Sequence, residues 1–199
     1  MKYLGSKTII TDRLILKAQT MDEQHYLWRV LMMPDVNKYY LTVPKKFAEK
    51  LKDWNIQKEY YEKEMEHAND SDVFKWSVFL KDTNECIGRV DAHKASDEGY
   101  EDNPNIIGVG WYLDPKYKGK GYGYETAKAM MDYMLNKCEI NEIITGAAIQ
   151  NPASWKIMEK LGFIRLDKTK MVEYTYVDEP VEDYQYYLTK EMYKELENK

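Results

Sequence analysis

Residues 114–127 read Asp114-Pro-Lys-Tyr-Lys-Gly-Lys-Gly-Tyr-Gly-Tyr-Glu-Thr-Ala127. A run of strand formers, Ile106 to Leu113, ends just before this stretch. A helical stripe of Ala127, Met130, Met131, Met134 and Leu135 follows it. Gly119, Gly121 and Gly123 therefore sit where a strand turns into a helix. Glycine allows a tight turn there and lets a bulky anion approach the amides without meeting a Cβ. The first N–H groups of a helix lack internal partners, and the macrodipole leaves that end positive. The junction suits a pyrophosphate, with Lys118 and Lys120 adding flanking charge. It is neither Gly-x-x-x-x-Gly-Lys-Ser/Thr nor Gly-x-Gly-x-x-Gly. A plain glycine-rich turn with solvated lysines is the competing reading of the spacing alone.

A second junction lies one strand further on. Glu142 to Ile149 reads as a strand, and Asn151-Pro-Ala-Ser154 opens a short helix that ends Glu159-Lys-Leu-Gly-Phe163. Asn at the N-cap, Pro at the first helical position and Gly162 at the stop are all helix-boundary signals. Capping alone accounts for them. Yet a helix crosses between Ile106–Leu113 and Glu142–Ile149, which makes these two strands a parallel pair. Asn151 and Ser154 then lie beside the glycine loop, at the carboxyl ends of neighbouring strands, where ligands of such sheets bind.

Outward from these junctions, Thr8 to Lys17 reads as a first strand. Thr20 and Glu23 form a capping box for a helix that carries Leu27, Val30 and Leu31 and stops at Pro34. Phe47, Leu51, Trp54, Tyr61 and Met65 recur at helical spacing along a charged 45–66 helix. Phe74–Leu80 and Cys86–Ala92 make a hairpin, Phe163–Leu166 begins a further strand, and Tyr184–Leu188 supplies the last. Early hairpins and a late strand–helix–strand unit define a mixed α/β (α+β) domain. Its sheet has about seven strands, the fourth and fifth parallel, with about four helices. The 199 residues show no linker or repeat, so one domain, 1–199, is expected.

With 34 acidic against 29 basic residues the net charge is −5, and only four arginines occur. No basic face is evident for nucleic acid. No apolar run approaches the roughly 18 residues of a membrane span. The N-terminus lacks a secretory h-region, which points to a cytoplasmic protein. Cys86 and Cys138 are too few for a disulfide framework or a zinc site and read as ordinary buried thiols; no metal is expected. The Met130, Met131, Met134 stripe reads as core.

Two elements carry a family resemblance: Lys118-Gly-Lys-Gly-Tyr-Gly123 with Glu125-Thr-Ala127, and Asn151-x-x-Ser154 with Glu-Lys-Leu-Gly-Phe163. In order and one strand apart, they resemble the GNAT N-acetyltransferases. The likeness is greatest to the branch that acetylates ribosomal-protein N-terminal amines, whose first strand Thr11-Asp-Arg-Leu-Ile-Leu16 is also similar to. The resemblance implies the GNAT acyl-CoA N-acyltransferase fold, with the two parallel strands splayed, and transfer of an acetyl group from acetyl-CoA to a primary amine by direct attack in a ternary complex. It places the pyrophosphate on the amides of Lys118, Gly119, Lys120, Gly121, Tyr122 and Gly123. The pantetheine arm pairs with Trp111, Tyr112 and Leu113, held by Asn151, with Ser154 near the sulfur.

The chemistry needs a neutral amine, a donor for the thioester oxygen and a proton for the thiolate. A backbone N–H of Trp111–Leu113 is the expected oxyanion donor. Where many relatives carry a proton-donating Tyr this chain has Met158, and Ser154 is the branch's usual substitute. The strand position that often holds a basic Glu is Gly108. Arg89, Asp91 and His93, alternating on one face, then stand as candidates beside Glu101 and Asp102, with His93 best matched in intrinsic pKa; a water chain is the alternative. Tyr39, Tyr40, Tyr60, Tyr61, Tyr184, Tyr186 and Tyr187 could line an acceptor pocket, although strand propensity explains the last three equally well.

The expected partners are acetyl-CoA and an amine acceptor, with a homodimer allowed, and neither nucleic acid nor membrane. Three function classes follow: acetylation of a peptide N-terminus in an open groove between the 45–66 helix and the last hairpin; acetylation of a small amine (amino acid, polyamine or aminoglycoside) in a closed pocket; or acyl-CoA binding without turnover.

Overall fold

The computed structural model describes residues 1–98 and 103–198. The first strand breaks at a turn into β1 (Ile9–Ile10) and β2 (Leu14–Ala18). Helix α1 (Met21–Leu31) begins at Thr20, whose hydroxyl and backbone N–H both engage the Glu23 carboxylate. Such a cap is worth about 1 kcal/mol. Pro34 does not simply end this helix. It occupies the first position of α2 (Pro34–Asn37), where its missing N–H costs nothing.

The single 45–66 helix expected from periodicity is a 3-10 turn followed by α3 (Ala48–Lys52) and α4 (Trp54–Glu66). Asp53 interrupts it, adopting an extended backbone and capping α4 through Asn55 N–H at 2.9 Å. Then come β3 (Phe74–Leu80), β4 (Cys86–Lys94), β5 (Ile106–Leu113), α5 (Tyr122–Asp132), β6 (Glu142–Ala148), α6 (Pro152–Lys160), β7 (Ile164–Val172), β8 (Val181–Thr189) and α7 (Lys190–Glu197). The expected seven strands and four helices become eight and seven among the described residues, so the parallel pair is β5 and β6. Among these residues no helix is long and apolar enough to cross a membrane. Glu101 and Asp102 lie outside the described residues.

The sheet order is β1-β2-β3-β4-β5-β6-β8-β7, antiparallel except between β5 and β6. One face packs on α5 and α6, burying Trp76, Val90, Val109, Met130, Met131 and Met134. Each such side chain contributes on the order of 1.5–3 kcal/mol. The methionines are core, as their spacing indicated. The opposite face meets α1 through Leu27, Val30, Leu31 and Tyr112. It also carries a polar layer, in which Ser77 donates to Glu23 at 2.6 Å. Cys138 is buried, whereas Cys86 is only half-buried. Helix α7 packs Leu196 onto Gly162, where a Cβ would fall 2.0 Å from Leu196 Cδ1. Gly162 also has φ +89°, so its role extends beyond stopping α6.

Candidate active site

The parallel ladder between β5 and β6 is short. It pairs Ile106 with Glu142, Ile107 with Ile143 and Gly108 with Ile144, then ends. The next carbonyl, that of Val109, accepts the Thr145 hydroxyl at 3.1 Å instead of a backbone N–H. Beyond it the strands separate. Asp114 N–H donates to Ile87 O at 2.8 Å. Backbone groups alternate along an antiparallel pair, so those of Tyr112 and Gly110 also face β4, while those of Trp111 and Leu113 face the opening toward β6.

The glycine loop lies at the end of this opening. Gly121 adopts φ +80° as the N-cap of α5, and Gly119 adopts φ +75° with nothing within 4 Å of its would-be Cβ. What holds the loop is Glu125 in the first turn of α5. Its carboxylate receives the Thr11 hydroxyl at 2.6 Å, the Arg13 N–H at 2.9 Å and Arg13 Nε at 2.7 Å. Arg13 Nη1 then donates to the Lys120 carbonyl at 2.8 Å, and its guanidinium lies 4.6 Å from the Tyr122 ring centre. The Thr11-Asp-Arg stretch is thus a clamp on the loop, across more than 100 residues of sequence. Burial pushes the Glu125 carboxyl up, but the Thr11 and Arg13 hydrogen bonds outweigh it and hold it below its ordinary value.

On the β6 side, Asn151 occupies the N-cap of α6 but its side chain makes no capping hydrogen bond. Its carbonyl accepts the Ser154 N–H at 3.1 Å. Asn151 thus serves the N-cap through its backbone carbonyl alone, and its side-chain amide is left available to a ligand. Trp111, Tyr112, Leu113, Lys118, Gly119, Gly121, Tyr122, Gly123, Asn151, Ser154 and Met158 all line one cavity of about 560 Å³. Lys120 is not among its walls; its ammonium lies over the Tyr117 ring. Lys118 reaches Asp35 at 3.4 Å. Lys156 and Lys160, which the motifs did not single out, also line the cavity.

His93 lines a different cavity, of about 920 Å³, with Tyr3, Asp70 and Lys75. It is linked to the first through Asp91. His93 Nδ1 lies 3.1 Å from Asp91 Oδ2, Arg89 Nη2 lies 3.1 Å from Asp91 Oδ1, and the Tyr40 hydroxyl donates to Oδ1 at 3.3 Å. Burial pushes Asp91 up, but the Arg89 guanidinium and the His93 hydrogen bond outweigh this and set its pKa at about 2. Asp91 is thus a fixed anion at neutral pH, too weak a base to deprotonate an amine. Burial, then Asp91, raises the Tyr40 hydroxyl well above its ordinary value. Tyr39 and Tyr40 both line the 560 Å³ cavity, and Tyr39 packs edge-on against Tyr174, whose hydroxyl donates to Asp183 at 2.6 Å.

Where an open groove is expected beside the 45–66 segment, the β7–β8 connection is bonded to the chain at residues 41–48. Thr175 N–H donates to Leu41 O at 2.8 Å, Thr175 Oγ1 to Val43 O at 2.7 Å, and Tyr176 hydroxyl to Ala48 O at 3.1 Å. These bonds tie the β7–β8 turn to the segment following Tyr40.

A family model described as an acetyltransferase (GNAT) domain matches residues 13–164. The chain belongs to the GNAT acetyltransferase family. Acetyl-CoA is the acyl donor of this enzyme. The GNAT chain is 32% identical over 91 residues to an uncharacterized N-acetyltransferase, YnaD, of Bacillus subtilis. That match covers 46% of this chain and half of the relative's length. Its fold is similar to a ribosomal-protein-S5-alanine acetyltransferase from Vibrio fischeri, with TM-score 0.72, 17% identity, and 94% and 99% of the two chains covered. It is equally similar to a spermidine N-acetyltransferase from Vibrio cholerae solved with CoA and spermine, with TM-score 0.72, 18% identity and 92% and 99% coverage.

Proposed function

We propose that this GNAT acetyltransferase transfers the acetyl group of acetyl-CoA to a small primary amine. The observation that carries the reading is the opening beside β5, where the Trp111 backbone faces a space bounded by a glycine-capped helix on one side and by Asn151 and Ser154 on the other. The donor fits its walls: Gly119 leaves room for a diphosphate, and the α5 N-terminus supplies unpaired N–H groups. In this reading the amides of residues 118–123 hold the diphosphate, with Lys156 and Lys160 nearby. Leu113 and Trp111 pair with the pantetheine arm, and Asn151 donates to it.

Trp111 N–H then donates to the thioester oxygen as charge builds there. The neutral amine nitrogen bonds to the carbonyl carbon and gives up a proton to water, the C–S bond breaks, and Ser154 Oγ delivers a proton to the departing sulfur and regains one from water. The tethers from Thr175 and Tyr176 favour a small acceptor over a protein tail, because they fasten the β7–β8 connection to residues 41–48 and so narrow the approach past Tyr39 and Tyr40.

Calorimetry with CoA tests the donor half. Gly121→Asp puts a carboxylate in the loop and is expected to weaken CoA at least 100-fold while circular dichroism stays native; unchanged affinity refutes the loop assignment. A panel of small primary amines and peptides, followed by free-thiol release, tests the acceptor half. Turnover confined to peptides would overturn the small-amine reading.

A further inference from the structure

The parallel ladder between β5 and β6 stops at a side chain. Slanted parallel pairing past Gly108 and Ile144 would next give the Val109 carbonyl to the Gly146 N–H. That rung is not formed, and the Thr145 hydroxyl holds the carbonyl at 3.1 Å instead. Thr145 and Val109 are both buried, and a buried carbonyl is seldom left without a donor. The Gly146 N–H is left over. Ile149 N–H donates to Glu182 O and Lys190 N–H to Asn141 O, so the odd-numbered backbone groups of β6 face β8. Those of Gly146 face β5 instead, across the opening from Trp111, and both residues line the 560 Å³ cavity. Neither neighbouring strand supplies this N–H with an acceptor.

We infer that Thr145 sets where the ladder ends, so that the Gly146 N–H is kept for a carbonyl oxygen of the donor's pantetheine arm. The inference rests on the donor placement proposed above and adds a positioning residue on β6, outside both the glycine loop and the Asn151 motif. By occupying the Val109 carbonyl, the hydroxyl removes the acceptor toward which β6 would close. The opening thereby presents N–H groups from both walls, Trp111 on β5 and Gly146 on β6. Thr145 acts through the two strands rather than on the reacting atoms.

The decisive variant is Thr145→Val, which keeps the branched shape and replaces the hydroxyl by a methyl group. The Val109 carbonyl then has the Gly146 N–H as the donor next in register, and their pairing adds a rung across the entrance of the arm. CoA affinity is measured by calorimetry, and exchange of the Gly146 amide proton by NMR with and without CoA. Thr145→Val is expected to weaken CoA at least tenfold, whereas Thr145→Ser, which keeps the hydroxyl, stays within threefold of wild type. In the wild type CoA should slow Gly146 exchange at least tenfold; in Thr145→Val the amide should be slow already without it. A folded Thr145→Val that binds CoA within twofold of wild type makes the hydroxyl a consequence of the splay and overturns the inference. If that variant does not fold, the wild type decides: slowing of Gly146 by CoA supports the inference, and exchange indifferent to bound CoA overturns it. A wild type that binds no CoA strikes at the proposed function, and this inference falls with it.

Discussion

Replacing Glu125 by alanine removes the keystone of the clamp that joins the start of β2 to the glycine loop. Three donors lose their acceptor at once: the Thr11 hydroxyl, the Arg13 N–H and the Arg13 guanidinium. Hydrogen bonds to a charged group are worth about 1.5–3 kcal/mol each when shielded. The Glu125 side chain is 15% exposed but that of Arg13 is 48%, so water rescues much of the guanidinium. A net loss of about 2 kcal/mol follows for the variant, or a melting midpoint about 4–8 °C lower. Arg13 also releases the Lys120 carbonyl, so the loop must be ordered by the ligand, and the CoA dissociation constant should rise about tenfold, equivalent to about 1.4 kcal/mol. Calorimetry alongside thermal denaturation reads both quantities. Glu125 is held below its ordinary pKa, so its contribution is full at neutral pH and is lost only as pH falls past the ordinary carboxylate range and through the lowered folded-state value. The wild type and Glu125→Gln should therefore converge in stability on acidification. A variant that melts lower yet binds CoA within twofold of wild type refutes the idea that the clamp presets the loop.

Ser154→Ala should lower kcat by about 100-fold, the low end for a general acid, with CoA affinity within twofold; an unaffected kcat removes its proton-donor role. Gly162→Ala should cost about 2 kcal/mol, combining left-handed strain with displacement of Leu196. In a Leu196→Ala background only the strain, about 1 kcal/mol, should remain, and equal costs in both backgrounds would contradict this division. Arg89→Met strips Asp91 of its main compensating charge, at about 3 kcal/mol and a midpoint about 6–12 °C lower. In the wild type the Asp91 contribution is complete above about pH 4 and fades toward pH 2, because the folded value lies below the ordinary one. Acid titration of the two proteins by circular dichroism checks the difference.

The features legible in the sequence are the local ones. Three glycines between a strand and a helix, and Asn-Pro ahead of a short helix, announce backbone conformations that few other residues adopt. Both junctions stand where their residues indicated. The break at Asp53 escaped the periodicity because apolar spacing runs through it, and only the capping geometry of Asp53 reveals it. Helix α7 escaped because five charged residues with three apolar ones resemble a solvated tail until Leu196 meets Gly162. The clamp is non-local: Arg13 and Glu125 come together only when α5 packs beside the start of β2, and no spacing rule connects them. His93 matched a base by type alone, whereas position puts it behind Asp91.

The three-rung ladder between β5 and β6 has a mechanical corollary. Five strands lie on one flank of that seam and three on the other, joined there by little main-chain bonding and held chiefly by the apolar core they share. A coenzyme arm laid along Trp111 would act as a splice, completing a sheet that the polypeptide leaves unfinished.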